Sequence, residues 1–291
     1  MDKSPDETRL GETIYPPPVD GLLAYADCRT LPEWPNYLRL GLGPQHVDDL
    51  IRMATDMALR EGDPEGREVW APVHAWRALA QLRAEAAVEP LITLLRRIDE
   101  KDDDWALDEL PTVFTMIGPA AVPALDDYLA RSAHGPWARM AAAAALAKIG
   151  TMHGEARGEC VAALVRGLER FPEHEDSLNA ALVTALVDLN AVEVAPLMQR
   201  VFEAKCVDVL FFGNWEDVQI SLGLKSPVEA AKPYMTLPPG EEQRFVLAPR
   251  DSDAEKYPAQ MAHVREAQAR AREKAKARRK QARKARKRRR R

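Results

Sequence analysis

A repeated segment is the feature that most narrows the folds open to this chain. Residues 86–95, AAVEPLITLL, align without a gap to residues 120–129, AAVPALDDYL, at an offset of 34. A third copy, VEVAPLMQRVF, begins at Val192 and restores the Pro-Leu pair as Pro196 and Leu197. Repetition at a period of about 20 to 50 residues is typical of arrays in which one unit of secondary structure stacks on the next.

An alanine-rich segment with apolar residues at helical spacing precedes each copy, and a further one lies between the second and third copies. These segments end at Leu82, Gly118, Gly150 and Asn190, at intervals of 32 to 40 residues when the first is matched at Arg83. We expect Gly118 and Gly150 to stop their helices with positive φ. Two helices per unit predict an all-α solenoid, because stacking buries the apolar faces that no single unit can bury.

The alternation of A-x-A-L-x-x-I-G with A-V-x-P-L-x-x-L resembles HEAT repeats, in particular the short phycobilisome lyase HEAT-like repeats. Residues 30–225 resemble more closely an uncharacterised bacterial HEAT-repeat family. Three stretches carry this likeness: WAPVHAWRALAQLRAEAAVEPL from Trp70, DDDWALDELPTVFTMIGPAAVPAL from Asp102 and GNWEDVQISLGL from Gly213. The resemblance implies a HEAT-like α-solenoid of stacked helix pairs.

Charge is divided unevenly along the chain. Residues 264–291 contain 16 Lys and Arg against 2 Glu, a net charge of +14, whereas the other 263 residues contain 25 basic and 43 acidic side chains, a net charge of −18. Prolines interrupt the helical pattern at both ends of the repeats. We therefore predict four parts: a flexible N-terminal lead-in (1–20), the solenoid (21–225), a Pro-rich linker (226–263) and a basic tail (264–291) that like-charge repulsion keeps disordered.

The basic tail is the strongest functional signal in the sequence. Clustered Lys and Arg bind polyanions by releasing counterions and need no defined geometry. We predict RNA or the ribosome as its partner, and the alternative is a solubilising tail without one. The tail has no aromatic residue to stack on bases, so we expect little sequence preference. The predicted contact residues are Arg270, Arg272, Lys274, Lys276, Arg278, Arg279, Lys280, Arg283, Lys284, Arg286, Lys287, Arg288, Arg289, Arg290 and Arg291.

A second group of candidate residues is aromatic or polar and falls on the predicted helices. Trp70 and Trp76 are interpreted as packing anchors between repeats rather than as a ligand-binding pair. His74 has no cysteine, serine or carboxylate at a telling spacing beside it, so an inter-helix hydrogen bond is favoured over a general base. The full set of structural or interaction residues is Trp70, His74, Trp76, Trp105, Trp215 and Asp217.

The remaining polar clusters do not indicate a metal or cofactor site. The acidic run from Asp99 to Asp104 lacks the glycine and the distal glutamate of a calcium loop, and we interpret it as a solvated, helix-capping turn before the helix at Trp105. His174 and Glu175 form one His-Glu pair, whereas a HEAT-repeat di-iron enzyme combines several. In the segment that begins at Gly213, we expect Asn214 to be a helix N-cap and Trp215 to cover the core of the last repeat.

The sequence lacks the features of a secreted or a membrane protein. Cys28, Cys160 and Cys206 are far apart and odd in number, which argues against a disulfide framework or a cysteine zinc site. The N-terminus does not resemble a signal peptide, and no stretch approaches the ~20 apolar residues of a membrane span. We expect a cytoplasmic protein without membrane contact.

The sequence favours a non-enzymatic scaffold. The helices that begin near Ala86, Ala120, Cys160 and Val192 are expected to line its curved surface and to hold a protein partner. Since the chain outside the tail is acidic, that partner is expected to be basic. Two alternatives stay open: a bilin lyase-like enzyme on a HEAT scaffold, and a HEAT-fold protein that binds DNA. The acidic charge argues against the second.

Overall fold

The structure is a computed structural model that describes residues 15–210 and 213–226, and all the regular elements in these ranges are helical. The predicted all-α fold is therefore confirmed. The chain divides at Gly213 into two units. The α-helices are α1 (Val47–Ala54), α2 (Met57–Arg60), α3 (Ala71–Gln81), α4 (Val88–Ile92), α5 (Arg97–Glu100), α6 (Asp104–Ile117), α7 (Val122–Ala130), α8 (Pro136–Met152), α9 (Arg157–Glu169), α10 (Asp176–Asp188), α11 (Ala195–Glu203) and α12 (Trp215–Ser221).

Apart from the short α5, helices α3 to α11 form four successive pairs. The first helices of the pairs, α3, α6, α8 and α10, contact one another in that order, and so do the second helices, α4, α7, α9 and α11. Residues 141–143 and 145 of α8 are alanines exposed by 2% or less, which lets α8 lie close to both neighbours. This arrangement of two helical layers is the predicted HEAT-like solenoid.

The helix ends repeat as regularly as the helices. Arg83, Asn190 and Lys205 adopt left-handed backbone angles, with φ of 51°, 49° and 58°. At Arg83 the backbone N–H bonds to the carbonyl of Ala80, and the next N–H reaches back to Leu79. The same pair of bonds recurs at Asn190 and Lys205, so three helices end in a Schellman motif without glycine.

The two glycines expected to stop helices behave differently. Gly118 has a φ of 107° and ends α6, as predicted. For Gly150 the prediction is wrong, because α8 continues to Met152 and Gly150 lies inside it. A Cβ at Gly150 would lie 2.7 Å from Leu189 Cδ2 and 3.1 Å from Cys160 Cβ. This glycine is therefore required for close packing between helices.

The chain that precedes the repeats packs against the first of them. Residues 71–80 of α3 are all buried, and the 3₁₀ turns Val19–Ala24 and Tyr37–Leu40 contact this helix. Tyr15 and Val19 are also buried, although they lie in the predicted flexible lead-in. The packed part of the chain thus includes residues 15–20, because the terminal repeat needs a cover for its apolar face. Residues 1–14 of that lead-in lie outside the described residues.

Helix α12 belongs to the second unit and has a complete N-terminal capping box. Asn214 is its N-cap, as predicted, and its side chain accepts from the backbone N–H groups of Glu216 and Asp217. The Asp217 carboxylate in turn accepts from the Asn214 N–H at 2.8 Å. The cover that Trp215 was expected to provide for the last repeat stays a prediction. Within the described ranges, no helix has the length and hydrophobicity that crossing a membrane requires.

Candidate functional site

The tryptophans predicted as packing anchors lie between the first two repeats. Trp70 is 6% exposed and Trp76 is 2% exposed. The rings of Trp70 and Trp105 meet edge to face, with centroids 5.1 Å apart, so the start of α3 contacts the start of α6 through this pair. The Arg29 guanidinium lies 5.1 Å from the Trp70 ring and extends the contact to the N-terminal segment.

His74 joins α3 to the N-terminal segment. Its Nε2 lies 2.7 Å from the carbonyl oxygen of Ala26, which can only accept, so Nε2 carries the proton. Its Nδ1 is then free to accept from the hydroxyl of Tyr37, at 2.7 Å. Burial lowers the pKa of His74, which keeps the ring neutral. Since both nitrogens hold protein partners, this imidazole is not placed to act as a general base.

The structure places a cysteine beside His74 that sequence spacing did not reveal. Cys28 Sγ lies 3.5 Å from His74 Nε2, although the two residues are 46 positions apart. A Cys-His pair can form a nucleophile when the thiol loses its proton to the imidazole. Here burial raises the pKa of Cys28 to about 12, and Nε2 already donates to Ala26. The thiol therefore stays protonated at neutral pH and packs as a small apolar group.

A buried ion pair lies next to this cluster. Arg77 Nε donates to Glu109 Oε2 at 2.8 Å, and Arg77 Nη2 contacts the other carboxylate oxygen. Trp76 Nε1 donates to the same carboxylate at 3.1 Å. The pair links α3 to α6, and each of its two buried charges neutralises the other. It therefore fixes the position of neighbouring repeats.

The acidic run from Asp99 to Asp104 is only partly a solvated turn. Asp103 is 8% exposed; it pairs with Arg60 and Arg97 and accepts from the Ala106 N–H at the start of α6. Asp103 is the N-cap of α6, so the predicted capping is confirmed there, but the solvated interpretation is wrong for this residue because two arginines from earlier parts of the chain cover it. Asp99 caps a different helix, α8, through the backbone N–H groups of Trp137 and Ala138.

His174 is likewise part of a hydrogen-bond network between repeats. Arg139 Nη2 donates to His174 Nε2 at 2.8 Å, and His174 Nδ1 lies 3.3 Å from Asn179 Oδ1. Burial lowers the pKa of His174, and the positive charge of Arg139 lowers it further. Arg139 also donates from Nε to the Leu129 carbonyl, so this network ties α8 to the end of α7 and to the segment between α9 and α10.

An open cleft lies where the first three repeats end, and it is named here the helix-end cleft. It has a volume of about 450 Å³. One wall is the N-terminal segment, and the floor consists of the C-terminal ends of α3, α6 and α8. The lining residues are Trp34, Asn36, Leu38, Ala80, Gln81, Arg83, Thr115, Met116, Met152 and His153.

The polar side chains of the helix-end cleft hold its walls together. Gln81 donates to the Pro35 carbonyl at 2.7 Å and accepts from the Tyr37 N–H at 2.9 Å. His153 Nε2 donates to the Thr115 carbonyl at 3.0 Å, which joins the end of α8 to the end of α6. The cleft is therefore lined by apolar side chains in a frame of hydrogen bonds.

Residues 74–97 match the family model of the PBS lyase HEAT-like repeat. They span most of α3, all of α4 and the turns that connect them, which is one helix pair of the solenoid. The chain is an all-α protein with HEAT-like repeats. Neither the curated proteins nor the solved structures gave a match.

The candidate residues divide between the HEAT-like repeats and the rest of the chain. Trp70, His74, Trp76 and Trp105 come together at the first two repeats, whereas Trp215 and Asp217 belong to α12 in the second unit. The predicted polyanion-binding residues of the tail, 270–291, and the linker from residue 227 lie outside the described residues.

Sequence reasoning missed the helix-end cleft. Leu38 lies within the predicted solenoid, 21–225, and like Met116 and Met152 it looks like an ordinary core residue of an amphipathic helix. The one signal in the sequence was the alignment of Arg83 with the helix ends of the other HEAT-like repeats, which marks the place where the cleft lies.

Proposed function

We propose that this HEAT-like protein is a non-enzymatic scaffold that binds a basic protein partner on its repeats and a polyanion, RNA or the ribosome, through its basic tail. The separation of charge carries the proposal: residues 264–291 have a net charge of +14 and the other residues −18. Opposite charges on two parts of one chain favour two partners of opposite sign.

The surface of the repeats supports a basic protein partner. Each of the four second helices exposes an acidic side chain to solvent: Glu89 on α4, Asp127 on α7, Glu169 on α9 and Glu203 on α11. Extended surfaces of this kind are where helical solenoids bind other proteins. Because α9 and α11 also carry Arg157, Arg166 and Arg200 and are neutral overall, the net negative charge lies on α4 and α7. Its field steers basic partners towards these two helices.

A salt series on full-length protein tests the tail. Wild type is compared with a variant in which the 16 Lys and Arg of residues 264–291 are replaced by Gln, using a single-stranded RNA probe. If about half of the 16 basic residues engage phosphates, the logarithm of affinity should fall against the logarithm of salt with a slope near −6, and the variant should lose both affinity and slope. A matched control replaces Arg166 and Arg170 by Gln. Equal binding by wild type and the tail variant would overturn this part of the proposal.

Charge reversal tests the repeats. In the test variant, Lys replaces Glu89, Asp127, Glu169 and Glu203. This variant should no longer capture the proteins that wild type captures from nuclease-treated native lysate, and its affinity for RNA should be unchanged. Capture from nuclease-treated lysate separates protein contacts from nucleic-acid bridges. If the reversed variant captures the same proteins in the same amounts, the acidic faces are not the binding surface.

A further inference from the structure

We propose that the helix-end cleft is a docking site for an extended peptide segment of a partner protein, one that presents large apolar side chains together with a carboxylate. This inference rests on the proposed function that the HEAT-like repeats bind a protein. It adds a second surface, distinct from the acidic second helices, and states the chemistry of its occupant.

Apolar side chains of the cleft are much more exposed to solvent than the side chains of a hydrophobic core. Met152 is 70% exposed and Leu38 is 44% exposed, and both line the cleft together with Trp34 and Met116. Grouped exposed apolar residues mark interaction sites, and methionine adapts its shape to different apolar partners.

The charge of the cleft sets it apart from the acidic chain around it. Arg83 is exposed at its rim and makes no ion pair with any residue of the described ranges. None of the lining residues has a carboxylate, and the Glu155 carboxylate lies 3.9 Å from His153 Nδ1. An acidic group on the partner would therefore meet a cation without a competing partner among the described residues.

The cleft is already formed in the free chain. The bonds of Gln81 to the N-terminal segment, and of His153 to Thr115, fix its walls. Arg83 lies in the Schellman motif that ends α3, so its backbone is held as well. A preformed site spares the occupant the cost of ordering the protein on binding.

The shape of the cleft favours a peptide over a small molecule. It crosses the ends of three successive first helices, and helices pack at about 8 to 10 Å between axes, so it spans roughly 18 Å. An extended chain rises by about 3.3 Å per residue, so five or six residues cover this length.

Peptide selection on full-length protein tests the proposal. A random library of 12-residue peptides displayed on phage is selected on the immobilised protein, and fluorescent synthetic copies of the recovered peptides are measured by anisotropy. We expect them to combine two or more of Leu, Ile, Met, Phe and Trp with Asp or Glu. Met152→Lys and Leu38→Lys should each weaken binding at least tenfold. Arg83→Glu should weaken it about fivefold, and replacing the acid of the peptide by Lys should restore binding to that variant.

The controls separate the cleft from general stickiness. Leu210→Lys changes a residue as exposed as Met152, 72% against 70%, outside the cleft, and should leave affinity unchanged. In methyl NMR spectra, the Met116 and Met152 signals should shift on binding and that of the buried Met198 should not. Equal affinity for wild type and Met152→Lys, or binding of dodecanoate but of no peptide, would overturn the proposal. If the recovered peptides bind without Asp or Glu, the proposed role of Arg83 is wrong. Failure here, with the charge-reversed variant still losing captured proteins that wild type binds, would leave the proposed function standing.

Discussion

The carboxylate of Asp99, in α5 after the first repeat, accepts a hydrogen bond from the backbone N–H of Ala138 at 2.8 Å, and so caps α8, the first helix of the third repeat. A second bond comes from the Trp137 N–H. The residue at the N-cap of α8 is Gly135, which has no side chain to satisfy these groups. The first free N–H groups of α8 are therefore satisfied from α5, which couples the third repeat to the segment that follows the first.

We expect Asp99→Ala to lower the free energy of unfolding by about 1 kcal/mol, the usual cost of losing an N-cap side chain. Asp127→Ala serves as the control, because Asp127 is exposed and pairs only with Arg131 on its own turn among the described residues. Chemical denaturation of the two variants measures the difference. A loss for Asp99→Ala no larger than that for Asp127→Ala would contradict the capping role.

Gly150→Ala should destabilise the protein, although alanine normally favours a helix over glycine by about 1 kcal/mol. The added Cβ would lie 2.7 Å from Leu189 Cδ2, so α8 and the end of α10 would have to move apart. Gly158→Ala in α9 is the matched control, because no atom lies within 4 Å of its added Cβ. Thermal melts should show a lower Tm for the first variant and an unchanged or higher Tm for the second.

Ala143→Leu should lower stability by about 1 to 3 kcal/mol through overpacking. Ala143 is fully buried in α8, between α6 and α10. Its neighbour Ala144 is only half-buried, so Ala144→Leu should cost less. Urea titrations give both values, and a reversed order would show that the assigned face of α8 is wrong.

Stability should fall as the pH is lowered from 7 to 5. The pKa values of His74, His134 and His174 are all lowered in the folded chain, mainly by burial. Below an ordinary histidine pKa of about 6.5, the unfolded chain therefore takes up protons that the folded chain resists. Each histidine can contribute at most about 1.4 kcal/mol per pH unit in this window.

His174→Gln should reduce that pH dependence, because the protonated imidazole would face the cation of Arg139 at 2.8 Å and a glutamine would not. Denaturation at pH 7, 6 and 5 for wild type and variant gives the two slopes. Identical slopes would show that His174 does not contribute to the acid sensitivity.

Much of the fold could be predicted because the repeat is written in local patterns. Apolar spacing marks the helices, and the alignment of Arg83 with Gly118 and Asn190 marks their ends, although only one of the three is glycine. Dependence on local patterns also produced the wrong prediction that Gly150 ends a helix. A glycine near a helix end reads as a stop, and only the neighbouring Leu189 shows that it provides space instead.

The candidate site was less accessible to sequence reasoning, because its contacts join distant parts of the chain. Cys28 and His74, 46 positions apart, meet through the folding of the N-terminal segment onto α3, and no local pattern predicts that docking. The helix-end cleft depends on the same docking, since Trp34 and Leu38 form its wall.

The sequence by itself thus determined the all-α class, the period of the HEAT-like repeats and the separation of charge between tail and remainder. Each of these depends on residue type and spacing along the chain. The tertiary structure alone decided which helix Asp99 caps, which glycine is needed for packing and where apolar side chains stay exposed. Those features depend on which surfaces meet, and long-range packing sets that.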